Sequence, residues 1–223
     1  PSGFVEESMS ENVMAGPAMM RRAAFMYGTP LPPGHAGRVG VGIGVGVSTG
    51  TSSLVPPNKL IEETGQLVEV DGIKLVFQMV PGTEAPAEIN FYMPEQKALY
   101  ISECATQSLH NIITLRGAVV RDAKAWSGYL DETIDLYGRQ SEVLFAGHTW
   151  PTWGNANLLR HISEQRDLYA YLHDQTLRLM NLGLNGTEIA EQLRLPPQLR
   201  DAPHAQGFYG SVSHNVKGIY SVT

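Results

Sequence analysis

The period of the apolar residues changes along this chain, and that change bounds what it can fold into. Between residues 66 and 102 the segments 66–70, 74–80, 88–93 and 98–102 read as short β-strands separated by turn residues. Asp71-Gly72 between the first two predicts a tight hairpin. From Asp122 the spacing becomes helical. Trp126, Leu130, Ile134 and Tyr137 share one face, with Asp122 as N-cap and Gly138 as the stop. A further strand over 142–146 follows. After Trp153-Gly-Asn the pattern is helical throughout, with Leu158, Ile162, Tyr169, Leu172 and Leu179 in one stripe and a short helix over 187–195 that ends at Pro196-Pro197. Ahead of the strands, Val13, Met20, Ala24 and Tyr27 predict two short helices, or one that kinks at Pro17. The expected fold class is therefore α/β, with a boundary near residue 153 and an all-α part beyond it.

Three of the β-type runs end in metal-type ligands. The run from Lys74 leads to Glu84, the run from Ala98 to Glu103, and the run from Val143 to His148. Loops at strand ends are where a rigid sheet presents reactive side chains. Two carboxylates and an imidazole form an oxygen/nitrogen donor set that suits zinc, manganese or iron. Taken singly, each residue also reads as an ordinary loop carboxylate or a structural histidine. Asn111 and Arg116 follow Glu103 closely. The planar fork of Arg116 matches the oxygens of sulfate, phosphate or carboxylate, and a salt bridge to a neighbouring carboxylate is its other reading.

Composition removes several classes. A formal charge of −6, from 16 Lys and Arg against 22 Asp and Glu, argues against a nucleic-acid-binding body. No run of 18 apolar residues occurs, so no membrane span is expected. Cys104 is the only cysteine, which excludes an internal disulfide. The opening Pro1-Ser-Gly-Phe-Val-Glu-Glu has no basic n-region, as in a mature exported chain or an internal fragment.

Two suggestive segments lose to plainer readings. The Gly/Val alternation from Val39 to Thr51 never places three glycines in the G-x-G-x-x-G register and lacks Gly-Lys-Ser/Thr, so a phosphate cradle is not expected. Period-2 glycine instead marks a strand or loop that another backbone approaches closely. Leu184 to Pro196 has the outline of a helix-turn-helix, but its second helix carries Glu188, Glu191, Gln192 and Arg194. Such a helix packs against protein rather than reading bases.

Longer motifs carry a resemblance. Ser10-Glu-Asn-Val-Met-Ala-Gly, Met20-Arg-Arg-Ala, Met26-Tyr-Gly and Pro81-Gly-Thr-Glu-Ala-Pro-Ala-Glu resemble segments of the alkylsulfatases of the metallo-β-lactamase superfamily, enzymes that cleave dodecyl sulfate and related esters. So do Glu103-Cys-Ala-Thr-Gln-Ser-Leu-His-Asn, Leu115-Arg-Gly-Ala, Gly147-His-Thr-Trp-Pro and Gly210-Ser-Val-Ser-His-Asn. The resemblance runs from end to end. It implies part of a metallo-β-lactamase αββα sandwich over 1–153, the C-terminal portion of the catalytic domain, and an incomplete helical dimerisation domain over 154–223. It implies that Glu84 ligates one of two zinc ions, that Glu103 bridges both, that His148 ligates the second, and that Asn111 and Arg116 hold the sulfate. Asn111, where relatives acting on secondary esters carry His, points to the primary-ester type. Apolar surface including Trp150 and Trp153 would receive the alkyl chain. A homodimer and a periplasmic or secreted location are implied too. A thioester or lactone hydrolase of the same superfamily is the alternative.

The chain departs from the family in one respect. The family's His-x-His-x-Asp-His motif, source of the other four metal ligands, is absent: His35, His110, His148, His161, His173, His204 and His214 include no pair at that spacing. The expectation is an internal segment of a longer enzyme, inactive when made alone.

Overall fold

In the computed structural model, which describes residues 1–46, 50–51 and 53–223, the alternating runs close into one six-stranded sheet. Its strands are β1 (Leu67–Val70), β2 (Ile73–Met79), β3 (Ile89–Met93), β4 (Ala98–Tyr100), β5 (Val143–Phe145) and β6 (Thr152–Trp153), adjacent in chain order. The β1–β2 turn uses Asp71 at φ 50° and Gly72 at φ 79°, the left-handed pair a two-residue hairpin demands. All neighbours are antiparallel except β4 and β5, which run parallel. Parallel neighbours need a crossover, and helix α3 (Ala123–Leu136) supplies it. Asp122 caps α3 as expected, its carboxylate accepting from the Lys124 and Ala125 amides at 2.9 Å. Gly138 does not stop the helix in an αL cap; it opens a short 3₁₀ turn.

Five strands match their expected spans to within two residues at either end. β6 was not foreseen, because two residues carry no periodicity. Ahead of the sheet stand α1 (Phe4–Met9), a π-helical turn (Ser10–Met14) and α2 (Gly16–Met26), so the chain forms two helices, with Pro17 in the first turn of the second. Their apolar stripe is not a core stripe. Val13 and Met20 are exposed, and Met19 is buried instead.

The helical part begins with α4 (Asn155–Met180), whose predicted stripe of Leu158, Ile162, Tyr169, Leu172 and Leu179 is buried throughout. It is followed by α5 (Gly186–Gln192), α6 (Pro197–Arg200) and α7 (Val212–Val222). A capping box starts α5: the Asn185 carboxamide accepts from the Thr187 and Glu188 amides, and Glu188 accepts from the Asn185 amide at 2.8 Å. Ile189 of α5 is fully buried and the helix packs on α7, the packing role expected over a DNA-reading one. A single apolar cluster joins Leu99 and Leu144 of the sheet, Trp126 and Leu130 of α3, Leu158 and Leu172 of α4, and Ile219 of α7. The sheet and the helices therefore share one core across residue 153.

A candidate metal and anion site at the strand ends

Glu103 leaves β4 through Ser102, held at φ 47°. His148 leaves β5 beside Thr149, at φ 72°. Left-handed backbone is costly for such residues, most of all for a β-branched one, and persists where the surroundings fix it. Here the Gly147 amide donates to the Ser102 carbonyl at 2.6 Å, tying the two strand ends together. Glu84 comes from the loop after β2, where Arg121 binds it through both the Glu84 carbonyl, at 2.6 Å, and the carboxylate.

These side chains converge. His148 Nε2 lies 3.2 Å from one Glu103 oxygen, and His110 Nε2 lies 2.9 Å from the other. One donor atom each from Glu84, Glu103 and His110 lie within 4.8 Å of one another, the one such cluster among the described residues. Burial pushes the Glu103 carboxyl up, but the His110 hydrogen bond and the charges of His110, His148 and Arg121 outweigh it and hold the group below its ordinary value. Nearby Glu88 goes the other way, pushed up to about 7 by burial, with the charges of Glu84 and Glu103 adding to it.

The His110 ring has a telling environment. Its Nδ1 lies 3.0 Å from the Asn111 carbonyl, which can only accept, so Nδ1 carries a hydrogen. Nε2 faces the Glu103 carboxylate, a second group that accepts, so that face calls for a proton or a cation between them. The donor set therefore suits a divalent ion. For a four-coordinate zinc, these side chains supply enough ligands for one ion and too few for two.

The structure brings together Glu84, Glu103, His148 and Arg116, which line one cavity of about 310 Å³ along with Tyr27 and Tyr209. Arg116 Nε is buried without a protein partner, so the salt-bridge reading is not realised there. Asn111 sits behind this wall, buried, its side-chain oxygen accepting from Arg121 Nη1. The Gly/Val run also contributes: Val41, Ile43, Gly44 and Gly46 wall the same cavity. A Cβ on Gly42, at φ 93°, would stand 2.4 Å from the Phe208 carbonyl oxygen, which is the close backbone approach that period-2 glycine signals. Residues 47–49 of the run lie outside the described residues.

Arg116 and Tyr27 also line a second, mostly apolar cavity of about 730 Å³, formed with Phe4, Val13, Met20 and Leu54. Trp150 and Trp153 do not border it. They are exposed, and they line a separate cavity of about 810 Å³ with Arg160, His161, Glu164 and His204. The alkyl-chain role expected of them has no support in this geometry.

Sequence reasoning passed over His110 and Arg121. No strand leads into His110, so no local pattern marks it as a site residue. Arg121 lies on irregular chain one residue before the Asp122 cap, where nothing local signals that its guanidinium reaches Glu84 and Asn111.

Carboxylates, imidazoles and an arginine at the ends of a mixed sheet form the class of site that can hold a divalent ion beside an anion. Comparison with known proteins makes the class particular. The chain is 49% identical over 220 residues to a linear primary-alkylsulfatase of Pseudomonas sp., and 43% identical over 220 residues to an alkyl/aryl-sulfatase of Saccharomyces cerevisiae, in both cases over 99% of this chain. The solved structure of a stereoselective inverting sec-alkylsulfatase from Pseudomonas sp. superposes with a TM-score of 0.97 at 41% identity, covering 100% of this chain and 35% of that one. A family model described as alkyl sulfatase dimerisation matches residues 185–223. Along its whole length, the chain is homologous to a segment of the alkylsulfatases. It spans about a third of the length of these relatives.

Proposed function

We propose that the protein carrying this segment hydrolyses alkyl sulfate esters, such as dodecyl sulfate, to alcohol and sulfate with the help of divalent metal ions. The observation that carries the reading is the shared cavity of Glu84, Glu103, His148 and Arg116, opening beside an apolar one through Arg116 itself. Glu84, Glu103 and His148 would hold metal, zinc by preference and two ions in the whole protein, with Glu103 between them. Its two oxygens face different imidazoles, so each would have its own partner for a cation. Bound ions would supply Lewis acidity and a water acidified towards neutral pH.

The remaining chemistry belongs to this chain. Arg116 offers its guanidinium, free of a carboxylate partner, to the sulfate oxygens, and the resemblance assigns Asn111, just behind the cavity wall, to the same anion. Water attacks and the ester bond breaks; one hydrogen of the water ends on the alcohol, the other leaves as a proton, and the sulfate keeps the negative charge beside the guanidinium. The Met- and Phe-lined cavity, rather than the two tryptophans, receives the alkyl chain. Residues 1–153 would be the catalytic portion and 154–223 part of a helical portion that pairs two subunits. The match of 185–223 to a dimerisation model supports a homodimer.

The test is sulfate release from dodecyl sulfate by the full-length protein and its Glu103→Ala variant. The variant should lose turnover; near-normal activity would overturn the assignment. Comparing sulfate esters with thioesters and lactones on the same preparation separates the alternative chemistries.

A further inference from the structure

The loop that carries His110, Asn111 and Arg116 has no regular structure, yet most of residues 104–112 are buried. Side chains of α3 and α4 hold its first half, Trp126 at the Cys104 carbonyl, Gln165 at the Thr106 carbonyl and Tyr169 at the His110 amide, and the segment around α7 holds the stretch from Leu109 on. Asn215 is 0% exposed and spends its whole carboxamide on this loop: its side-chain oxygen accepts from the Ile112 amide at 2.8 Å, and its side-chain nitrogen donates to the His110 carbonyl at 2.9 Å. The Gly210 amide donates to the Leu109 carbonyl at 2.8 Å. A Cβ on Gly210 would stand 2.6 Å from the His110 carbonyl carbon and 2.7 Å from the Asn111 amide nitrogen. A Cβ on Gly218 would stand 2.9 Å from Ile113 Cβ. Three residues of one segment thus meet five consecutive positions under the site, 109–113, and hydrogen-bond three of them.

We propose that Asn215 is a positioning residue for the hydrolysis, acting through the His110–Ile112 backbone that aims the His110 ring at Glu103 and sets Asn111 beside Arg121. The inference rests on the functional reading above. Its consequence is that residues 185–223, matched to a dimerisation model, are also a structural wall of the catalytic site. The physical reason is that a buried amide and carbonyl must be paired, and the bond that pairs them fixes where they lie. Displacements well under the length of a bond to the reacting group are enough to slow catalysis.

The experiment uses the full-length protein and three variants. Asn215→Asp keeps the size of the side chain and one acceptor for the Ile112 amide, but sets an oxygen against the His110 carbonyl. Gly210→Ala presses on the same peptide from another side, and decides the matter if Asn215→Asp fails to fold. Val216→Ala loosens the core on the same helix and leaves every hydrogen bond to the loop in place, and is the control for a merely structural role. The expected result is a kcat lowered on the order of 10- to 100-fold in Asn215→Asp and Gly210→Ala, with metal content and subunit pairing retained. Val216→Ala should keep kcat within about twofold at equal folded fraction. Amide exchange over residues 109–116 should quicken in Asn215→Asp and not in Val216→Ala. Unchanged kcat, or a loss that follows folded fraction equally in all three variants, overturns the proposal. So does unchanged exchange over 109–116. If the unmodified protein releases no sulfate, the functional reading fails, and the exchange measurement alone still decides whether Asn215 sets the loop.

Discussion

Glu103 has an imidazole against each of its oxygens, and its depressed pKa follows from them despite burial. An acid whose folded pKa is lowered contributes stability that is present above its unfolded pKa and is lost as pH falls through the folded one. Glu88 has the opposite sign. Its ordinary value is 4.5 and its folded value about 7, so the folded state keeps a proton that the unfolded chain has given up. Stability therefore drains away as pH rises from about 4.5 through 7. In metal-free protein, Glu88→Gln should be more stable than the parent at pH 8, by at most about 3 kcal/mol, and indistinguishable at pH 4. Urea unfolding at the two pH values checks this, and equal gains at both would refute it. Arg116→Lys keeps a charge but loses the fork; it should raise KM for dodecyl sulfate about tenfold or more. Unaltered steady-state kinetics in that variant would remove Arg116 from the anion site.

At the scale of elements, the expected pieces were those whose physics is local. The cap of α3 needs one carboxylate and two amides within three residues, and Asp122 provides it. Asp122→Ala should cost about 1 kcal/mol, seen as a lower Tm with unchanged metal affinity. The stripe of α4 was legible because a 26-residue helix repeats its period many times. The hairpin at Asp71-Gly72 was legible because few residues tolerate that turn. β6 was not, being only two residues long. The stripe of α2 misled for a different reason: helical period shows that a face is apolar, not that something covers it, and Val13 and Met20 line an open cavity. The loop over 104–122 was the least legible element. Its order comes from partners distant in sequence, Tyr169, Gln165 and, about a hundred residues later, Asn215, and no window of sequence contains those contacts.

On the scale of the whole molecule, one apolar core spans the sheet and the helices, so the strand ends and α7 are parts of one body. No helix among the described residues is long and apolar enough to cross a membrane. The donor count sets a further expectation. The 223-residue chain made alone should bind no more than one zinc and release no sulfate, because its clustered donors fill one coordination sphere at most. Elemental analysis and a sulfate assay on that chain are the check, and two tightly held zincs would contradict it. From sequence alone came the α/β class, the strand ends bearing Glu84, Glu103 and His148, the proximity of Arg116, and the kinship to alkylsulfatases, since each is written in local period or in motif. Only the tertiary structure decided that His110 and Arg121 join the cluster, that the tryptophans line a separate cavity, and that α7 packs under the loop. Those facts depend on which distant backbones meet, and burial of a shared core, rather than any local preference, brings them together.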